Sequence, residues 1–426
     1  MKFKLISLLA AAAFVGVAAQ AQDKALLETL VKKGMLSKQE AAQIAKESVA
    51  VAPSSSETKS IKIKGGVTGW YEWSQVGVDG GNNLPESNGF TMRYVKVGLE
   101  AEIGGGWTVD VTTDFGTEGQ NRNYIDNVTI SKRIDYDSIN GTVDFGFKKV
   151  NFGLEQTQDD FKQLAIERSI ATWFFTRPVS TANGMGQRDF ASRNTGIFWN
   201  GEIKQLEGLY YGLAVTGGMS EKIYNNTNDN NKLSFYANMG YKNYAEVNGE
   251  GISYDFGLNY GYANGGVQDS RHGTYSVWGL NPYVSAKWRG LTAMVEYFFQ
   301  QIENSKINGD QSSPQGWNVT IAWKQDLGEW GAIEPVFRFS CLSTNGNMYN
   351  SSYGISYNGG LGTYFFDSAQ TYYIGANWYI VPSVKFSLGY EYMNFEDGGT
   401  LRAGAGAGTD GSASGNSVRA QLQVVF

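Results

Sequence analysis

The chain has 426 residues, including 54 glycines, with 14% aromatic and only 18% charged side chains, and a formal net charge of −6 at pH 7. That usage suits many strands joined by glycine turns, and the acidic balance argues against a nucleic-acid partner. One cysteine, Cys341, excludes an intrachain disulfide, and one histidine, His272, in an expected external loop, points away from a metal cluster, a preorganised Ser-His-Asp site or any enzymatic role; no cofactor is expected.

Residues 1–21 read as a secretory signal: Lys2 and Lys4 precede the apolar stretch Leu5 to Ala19, and Ala19-Gln20-Ala21 supplies a small-x-small cleavage pattern. No later window approaches the roughly 20 apolar residues of a helical span, so an exported chain in a membrane must be a closed barrel. Residues 22–59 form a periplasmic helical segment and linker. Leu26, Leu27, Leu30 and Val31 recur at helical spacing, Gly34 caps one short helix, and Ser37-Lys38-Gln39-Glu40 opens a second. Val51 to Lys59 is the linker; a coiled-coil contact or a cell-wall tether are alternative roles for the helices.

Residues 60–426 carry sixteen strand-like runs: 61–75, 90–103, 107–115, 124–133, 141–150, 194–202, 207–217, 232–242, 251–262, 274–287, 290–302, 316–325, 332–341, 370–380, 383–394 and 416–426. The even number fits a single-chain bacterial barrel, and the gaps alternate. Even-numbered gaps are short, as at Gly104 to Gly106, Trp288-Arg289 and Val381-Pro382; odd-numbered ones run long, as at 151–193, 342–369 and 395–415. Short periplasmic turns and long external loops account for this pattern.

Side chains sort into two faces with period 2. In the last strand Val418, Ala420, Leu422, Val424 and Phe426 oppose Arg419, Gln421 and Gln423; in the third, Trp107, Val109 and Val111 oppose Thr108, Asp110, Thr112 and Asp114. Lys62, Lys64, Glu72, Lys96, Glu100, Glu102, Asp110, Asp144, Lys148 and Glu296 have inward parity, too many ions for a packed core, so a wide aqueous lumen is expected. Of these, Lys96, Glu100, Asp110, Asp144, Lys148 and Glu296 are the chosen lumen-lining candidates. Trp70, Tyr71, Trp73, Trp288, Trp378, Tyr379 and Tyr392 are expected in aromatic girdles, and Pro282 and Pro335 near strand ends or bulges.

The longest gap, from about Asn151 to Arg193, is expected to fold inward as the third loop and narrow the channel. Its constriction candidates are Asp159, Asp160, Lys162, Glu167, Arg168, Arg177, Arg188 and Arg193, with Glu155 and Asp189 also in the segment. Ion pairing of these charges with the wall is the alternative to a transverse field. Trp173-Phe174-Phe175 is expected to pack the loop on the wall, a surface for sugar rings being the sharper alternative. Gly404 to Gly408 reads as a flexible eighth loop. Asp79, Glu86, Asp229, Asp310 and Asp410 read as solvated loop charge, or as sites for cations bridging lipopolysaccharide.

Val143-Asp144-Phe145-Gly146-Phe147-Lys148-Lys149, then Asn151-Phe152-Gly153-Leu154-Glu155, Ile166-Glu167-Arg168-Ser169 and Arg177 resemble the corresponding elements of the phosphate-selective porin O and P family, as does Leu30 to Ala41 before the barrel. The resemblance implies an all-β, 16-stranded antiparallel transmembrane barrel, an inward third loop and a homotrimer. The terminal Phe426 resembles the assembly signal presented to the barrel assembly machinery. Phosphate selectivity requires a dense array of fixed donors, whereas the inward charges here are mixed and Asn151 stands where the family often has proline. The expectation is an outer-membrane porin of a Gram-negative-type envelope, set among lipid and lipopolysaccharide, that passes small hydrophilic solutes and ions, anions such as phosphate among them. A solute-specific channel for anions or oligosaccharides is one alternative; an adhesive barrel with little conductance, anchoring surface-binding loops, is the other.

Overall fold

The computed structural model describes residues 58–79, 86–117, 124–176, 180–181, 190–217, 233–247, 250–265, 275–304, 311–345, 349–350, 364–400 and 411–426. The expected signal segment, the helices of 22–59, Arg177, Arg188, Asp189, His272, Asp229, Asp310, Asp410 and the 404–408 glycine run lie outside them.

Sixteen long strands stand among the described residues. They are β1 (Thr58–Val78), β2 (Ser87–Ile103), β3 (Trp107–Asp114), β4 (Ile125–Asp135), β5 (Ile139–Lys149), β6 (Arg193–Ile203), β7 (Leu209–Thr216) and β8 (Ser234–Val247). β9 (Glu250–Gly265), β10 (Tyr275–Trp288), β11 (Leu291–Asn304), β12 (Gln315–Trp323), β13 (Ala332–Ser343), β14 (Ser368–Val381), β15 (Val384–Thr400) and β16 (Gly411–Val425) complete the wall. Each pairs with its neighbours in sequence, and β1 pairs antiparallel with β16 from Gly66↔Val425 to Val78↔Ala413. The sheet is therefore closed, which leaves no exposed edge and satisfies the ladder in lipid. Phe426 completes the seam through reciprocal 3.0 Å backbone hydrogen bonds with Gly65. All sixteen expected runs correspond to strands. β15 and β16 reach farther than their runs, to Thr400 and from Gly411, so the gap expected at 395–415 is shorter.

Turns on one rim are tight. Between β10 and β11 only Arg289 and Gly290 intervene, with φ of 47° and 80°, the geometry a two-residue hairpin needs to match the strand twist. A Cβ at Gly290 would stand 2.2 Å from the Lys324 carbonyl oxygen, so glycine is required there.

The outward faces are apolar. Phe145, Ile197, Leu213, Met239, Phe256, Ile374, Leu388 and Leu422 are all exposed, each opposite in parity to a polar inward residue, which makes a band suited to lipid. Trp70 departs from its expected girdle position. It is buried, shares the face of Glu72, and its ring lies 4.7 Å from the Arg93 guanidinium. Tyr379 also points inward, donating to Glu334 Oε2 at 2.7 Å. Pro335 sits near the start of β13, but Pro282 lies in mid-strand, facing Leu258 of β9. On the β11 side its missing N–H is offset by Asn281 Nδ2, which donates to the Tyr297 carbonyl at 3.1 Å.

The inward face is not uniformly wet. Toward the rim opposite the tight turns it is apolar: Val76, Val277, Phe298, Ile302, Leu342, Met393 and Phe395 cluster with Phe152, Ile170, Phe174, Phe175 and Phe190 of the long β5–β6 connection. The expectation of a wide aqueous lumen is corrected for this layer, because apolar surface covered by apolar side chains expels water.

Candidate functional site

The β5–β6 connection contains two short helices, α1 (Leu154–Thr157) and α2 (Ile170–Thr176), and a 3-10 turn at Asp160–Lys162. On α2, Phe175 stacks on Phe298 of β11 with ring centroids 5.1 Å apart and planes 2° from parallel, while Phe174 meets Phe175 edge to face at 5.0 Å. Gln300 Nε2 donates to the Phe175 carbonyl at 3.1 Å.

The segment from Leu154 to Arg168 bonds to strands along the arc of the wall from β11 round to β2. Glu296 of β11 receives the Leu154 N–H at 2.7 Å and the Glu155 N–H at 3.2 Å, taking up donors that the first turn of α1 cannot satisfy internally. Arg338 of β13 reaches Glu155 Oε1 at 3.1 Å, Glu391 Oε1 of β15 at 2.9 Å and the Glu167 carbonyl. Arg419 of β16 joins Glu391 to Glu72 of β1, each at 3.0 Å. Three further wall side chains donate to loop carbonyls: Asn377 to Leu164 at 2.9 Å, Lys385 to Gln163 at 3.1 Å and Gln423 to Phe161 at 2.9 Å. Arg93 of β2 pairs with Glu167 at 2.7 Å.

A second charge cluster surrounds Asp160. Its carboxylate meets Lys96, Arg168, Lys149 at 3.1 Å and Arg193 at 3.4 Å. Burial raises the Asp160 carboxyl, but these four cations outweigh burial and hold it well below the usual carboxylate range. Asp126 adds contacts to Lys96 at 2.9 Å and Arg193 at 2.8 Å. Its inward aim has a local cause. The β3–β4 register jumps between Thr112↔Asn127 and Thr113↔Ile125, so Asp126 occupies a bulge.

The expected site residues thus divide. Asp160, Glu167 and Arg168 are buried in ion pairs, and Arg193 is the first residue of β6, in the wall. Asp159 and Lys162 remain exposed, Asp159 accepting the Phe161 N–H at 2.9 Å. Lys96 and Glu296, expected to face water, are buried under the connection, and Asp144 pairs with Lys148 at 2.6 Å. Glu100 lies 3.4 Å from both Lys62 and Lys64, and Lys64 also pairs with Asp110. Arg338, Glu391 and Arg419 were not among the site candidates, although Arg419 was expected to face inward and each is a lone charge of inward parity between apolar or aromatic neighbours, a signal that could have found them.

Three cavities adjoin residues 154–164. One of 440 Å³ lies against β1–β6 and mixes Lys64, Lys148 and Lys149 with Asp110 and Asp159. One of 800 Å³ lies against β10–β16 and gathers Lys162, Lys287, Arg289, Lys324 and Lys385 against Asp159 and Glu334. The third, of 490 Å³ against β5–β10, is lined largely by asparagine and tyrosine.

The sequence pattern of the phosphate-selective porin O and P family matches residues 66–426, the closed wall from within β1 onward with the connection that carries these clusters. The chain belongs to that family. This porin is an outer-membrane β-barrel channel for passive diffusion. No curated protein sequence matches it. Among solved structures, an anion-selective porin from Comamonas acidovorans is 11% identical, with 86% of this chain and 99% of that one covered and a TM-score of 0.54. Pseudomonas putida OprB is 12% identical over 86% and 94% of the two chains, TM-score 0.55. The Acinetobacter baumannii outer membrane channel DcaP is 10% identical over 88% and 99%, TM-score 0.54. At such identities the likeness is one of fold.

Proposed function

We propose that residues 151–176 cross the lumen as its constriction, and that solutes pass beside the 154–164 stretch with small anions favoured. The observation that carries this is the ring of bonds from Leu154–Arg168 to β2, β11, β13, β14, β15 and β16, since a segment can touch inward side chains on opposite walls only by traversing the interior. Anion preference is supported by the 800 Å³ cavity, where five basic side chains meet two acidic ones; fixed cations there raise the local anion concentration. The family description and the Comamonas relative point the same way.

Reversal potentials of the refolded porin in a salt gradient test this. Lys324→Gln with Lys385→Gln should move the potential toward cations, and Lys162→Gln should change conductance without preventing barrel formation. Currents indifferent to all three substitutions would exclude the 154–164 stretch as the constriction.

We also propose the finer assignments that residues 1–21 direct export, 22–59 form a periplasmic segment, Phe426 is read during assembly and the barrel is a homotrimer. The lysine-flanked apolar N-terminus, the helical spacing of Leu26 to Val31, the aromatic terminus and the family resemblance support these in turn. Mass measurement of the mature chain and of its native oligomer checks the first and last.

A further inference from the structure

The 490 Å³ cavity between α1 and β5–β10 differs in chemistry from the other two. It presents the amides of Asn140, Asn151, Asn200, Asn238 and Asn259 with the phenols of Tyr210 and Tyr283. Its charges are few: Lys242 pairs with Glu202 at 2.7 Å, and Asp255 accepts from the Tyr210 hydroxyl at 2.6 Å. An anion entering here would lose hydration without meeting an unmatched counter-charge.

The amides lining the cavity leave part of their hydrogen-bonding capacity unused. Asn151 Nδ2 donates to Asn200 Oδ1 at 2.6 Å and to Asn238 Oδ1 at 2.8 Å. Among the described residues, this leaves Asn151 Oδ1 and the Nδ2 groups of Asn200 and Asn238 with no protein partner. Gly212 keeps room for the triad, because a Cβ there would stand 2.2 Å from Asn238 Oδ1, 2.7 Å from Asn200 Oδ1 and 2.8 Å from Asn151 Nδ2. Free amide donors and an acceptor beside a tyrosine ring match a solute whose hydroxyls both donate and accept and whose ring carbons present an apolar face. The volume falls within the roughly 300–1,000 Å³ of small-molecule sites.

We propose that this compartment is a binding subsite for neutral polyhydroxylated solutes of mono- to disaccharide size, so that the porin carries a sugar-recognising sector beside its cationic one. The inference rests on the channel reading and adds a second solute class to it.

Maltose titrated into planar bilayers holding the mature porin tests the subsite, with equilibrium calorimetry on the detergent-solubilised protein as a readout independent of current. The expected result is saturable block with matching calorimetric binding. Asn238→Ala, and separately Gly212→Ala, which removes no polar group, should each raise the half-blocking concentration about tenfold, the loss expected from roughly two neutral hydrogen bonds. A current that falls only in proportion to solution viscosity, identically in wild type and both variants and with no calorimetric heat, would overturn the subsite while leaving the channel intact. A folded wild type without conductance would overturn the channel reading and the subsite together.

Discussion

Arg338 of β13 lies 3.1 Å from Glu155 of the β5–β6 connection, and its guanidinium is fully buried. The pair joins positions 183 residues apart and forms one end of the chain Glu155–Arg338–Glu391–Arg419–Glu72. Removing the arginine would leave the buried Glu155 carboxylate without its counter-charge and Glu391 with Arg419 alone, a loss of about 3–5 kcal/mol. Arg338→Met should therefore lower stability by that order and free the connection, read as a reduced urea midpoint and larger, noisier single-channel currents. Adding Glu155→Gln should recover part of the loss; a double variant as unstable as the sum of the two singles would show that the residues act separately.

Phe175 and Phe298 should couple in the same way through packing. Each alanine substitution is expected to cost about 3–5 kcal/mol, and a double-mutant cycle should return about 0.5–1.5 kcal/mol of interaction for the stacked rings. A coupling of zero would mean that α2 is held on the wall by its polar contacts alone.

The closing seam depends on Gly65. A Cβ there would approach the Lys96 carbonyl oxygen to 2.4 Å and the Phe426 ring to 2.8 Å. Gly65→Ala should lower the yield of heat-modifiable, folded barrel in refolding assays, whereas Gly89→Ala, with open space around its Cβ position, should fold like the wild type. Equal yields for both would remove the seam as the sensitive point.

The pH response of the Asp160 cluster has a definite sign. Burial raises this carboxyl and the four surrounding cations overcompensate, so its value in the folded protein lies below that in the unfolded chain. Its stabilisation is then fully present above about pH 4, the ordinary aspartate range, and is lost only as pH falls through the depressed value. Asp160 itself should not titrate between pH 8 and 5, so the part of the difference between wild type and Asp160→Asn that depends on its ionisation should be lost only under stronger acid. A difference already gone at pH 6 would contradict a depressed Asp160.

Strand number, strand faces and the rims of short and long connections were legible in the chain, because a barrel wall imposes period 2 at every residue and lipid demands an apolar outer face wherever it touches. Val418, Leu422 and Val424 could only face outward once Arg419, Gln421 and Gln423 faced inward. Exceptions to the expectations have local causes. Trp70 follows inward parity to meet Arg93, Asp126 is aimed by a bulge, and Pro282 stays in mid-strand because the Asn281 side chain supplies a donor.

Sequence alone determined the closed sixteen-stranded wall and its family, since both follow from local alternation and short motifs. Only the tertiary structure decided how the charges are used. Inward parity could mark Lys96, Glu296 and Arg338 as facing the interior, but whether an interior ion meets water or a partner depends on what lies across the barrel. Those partners come from positions far away in the chain, chosen by the path of residues 151–176 and by no local pattern. The same path sets the mixed, cationic and amide-lined compartments around residues 154–164, because each combines side chains from several strands with one stretch of the connection.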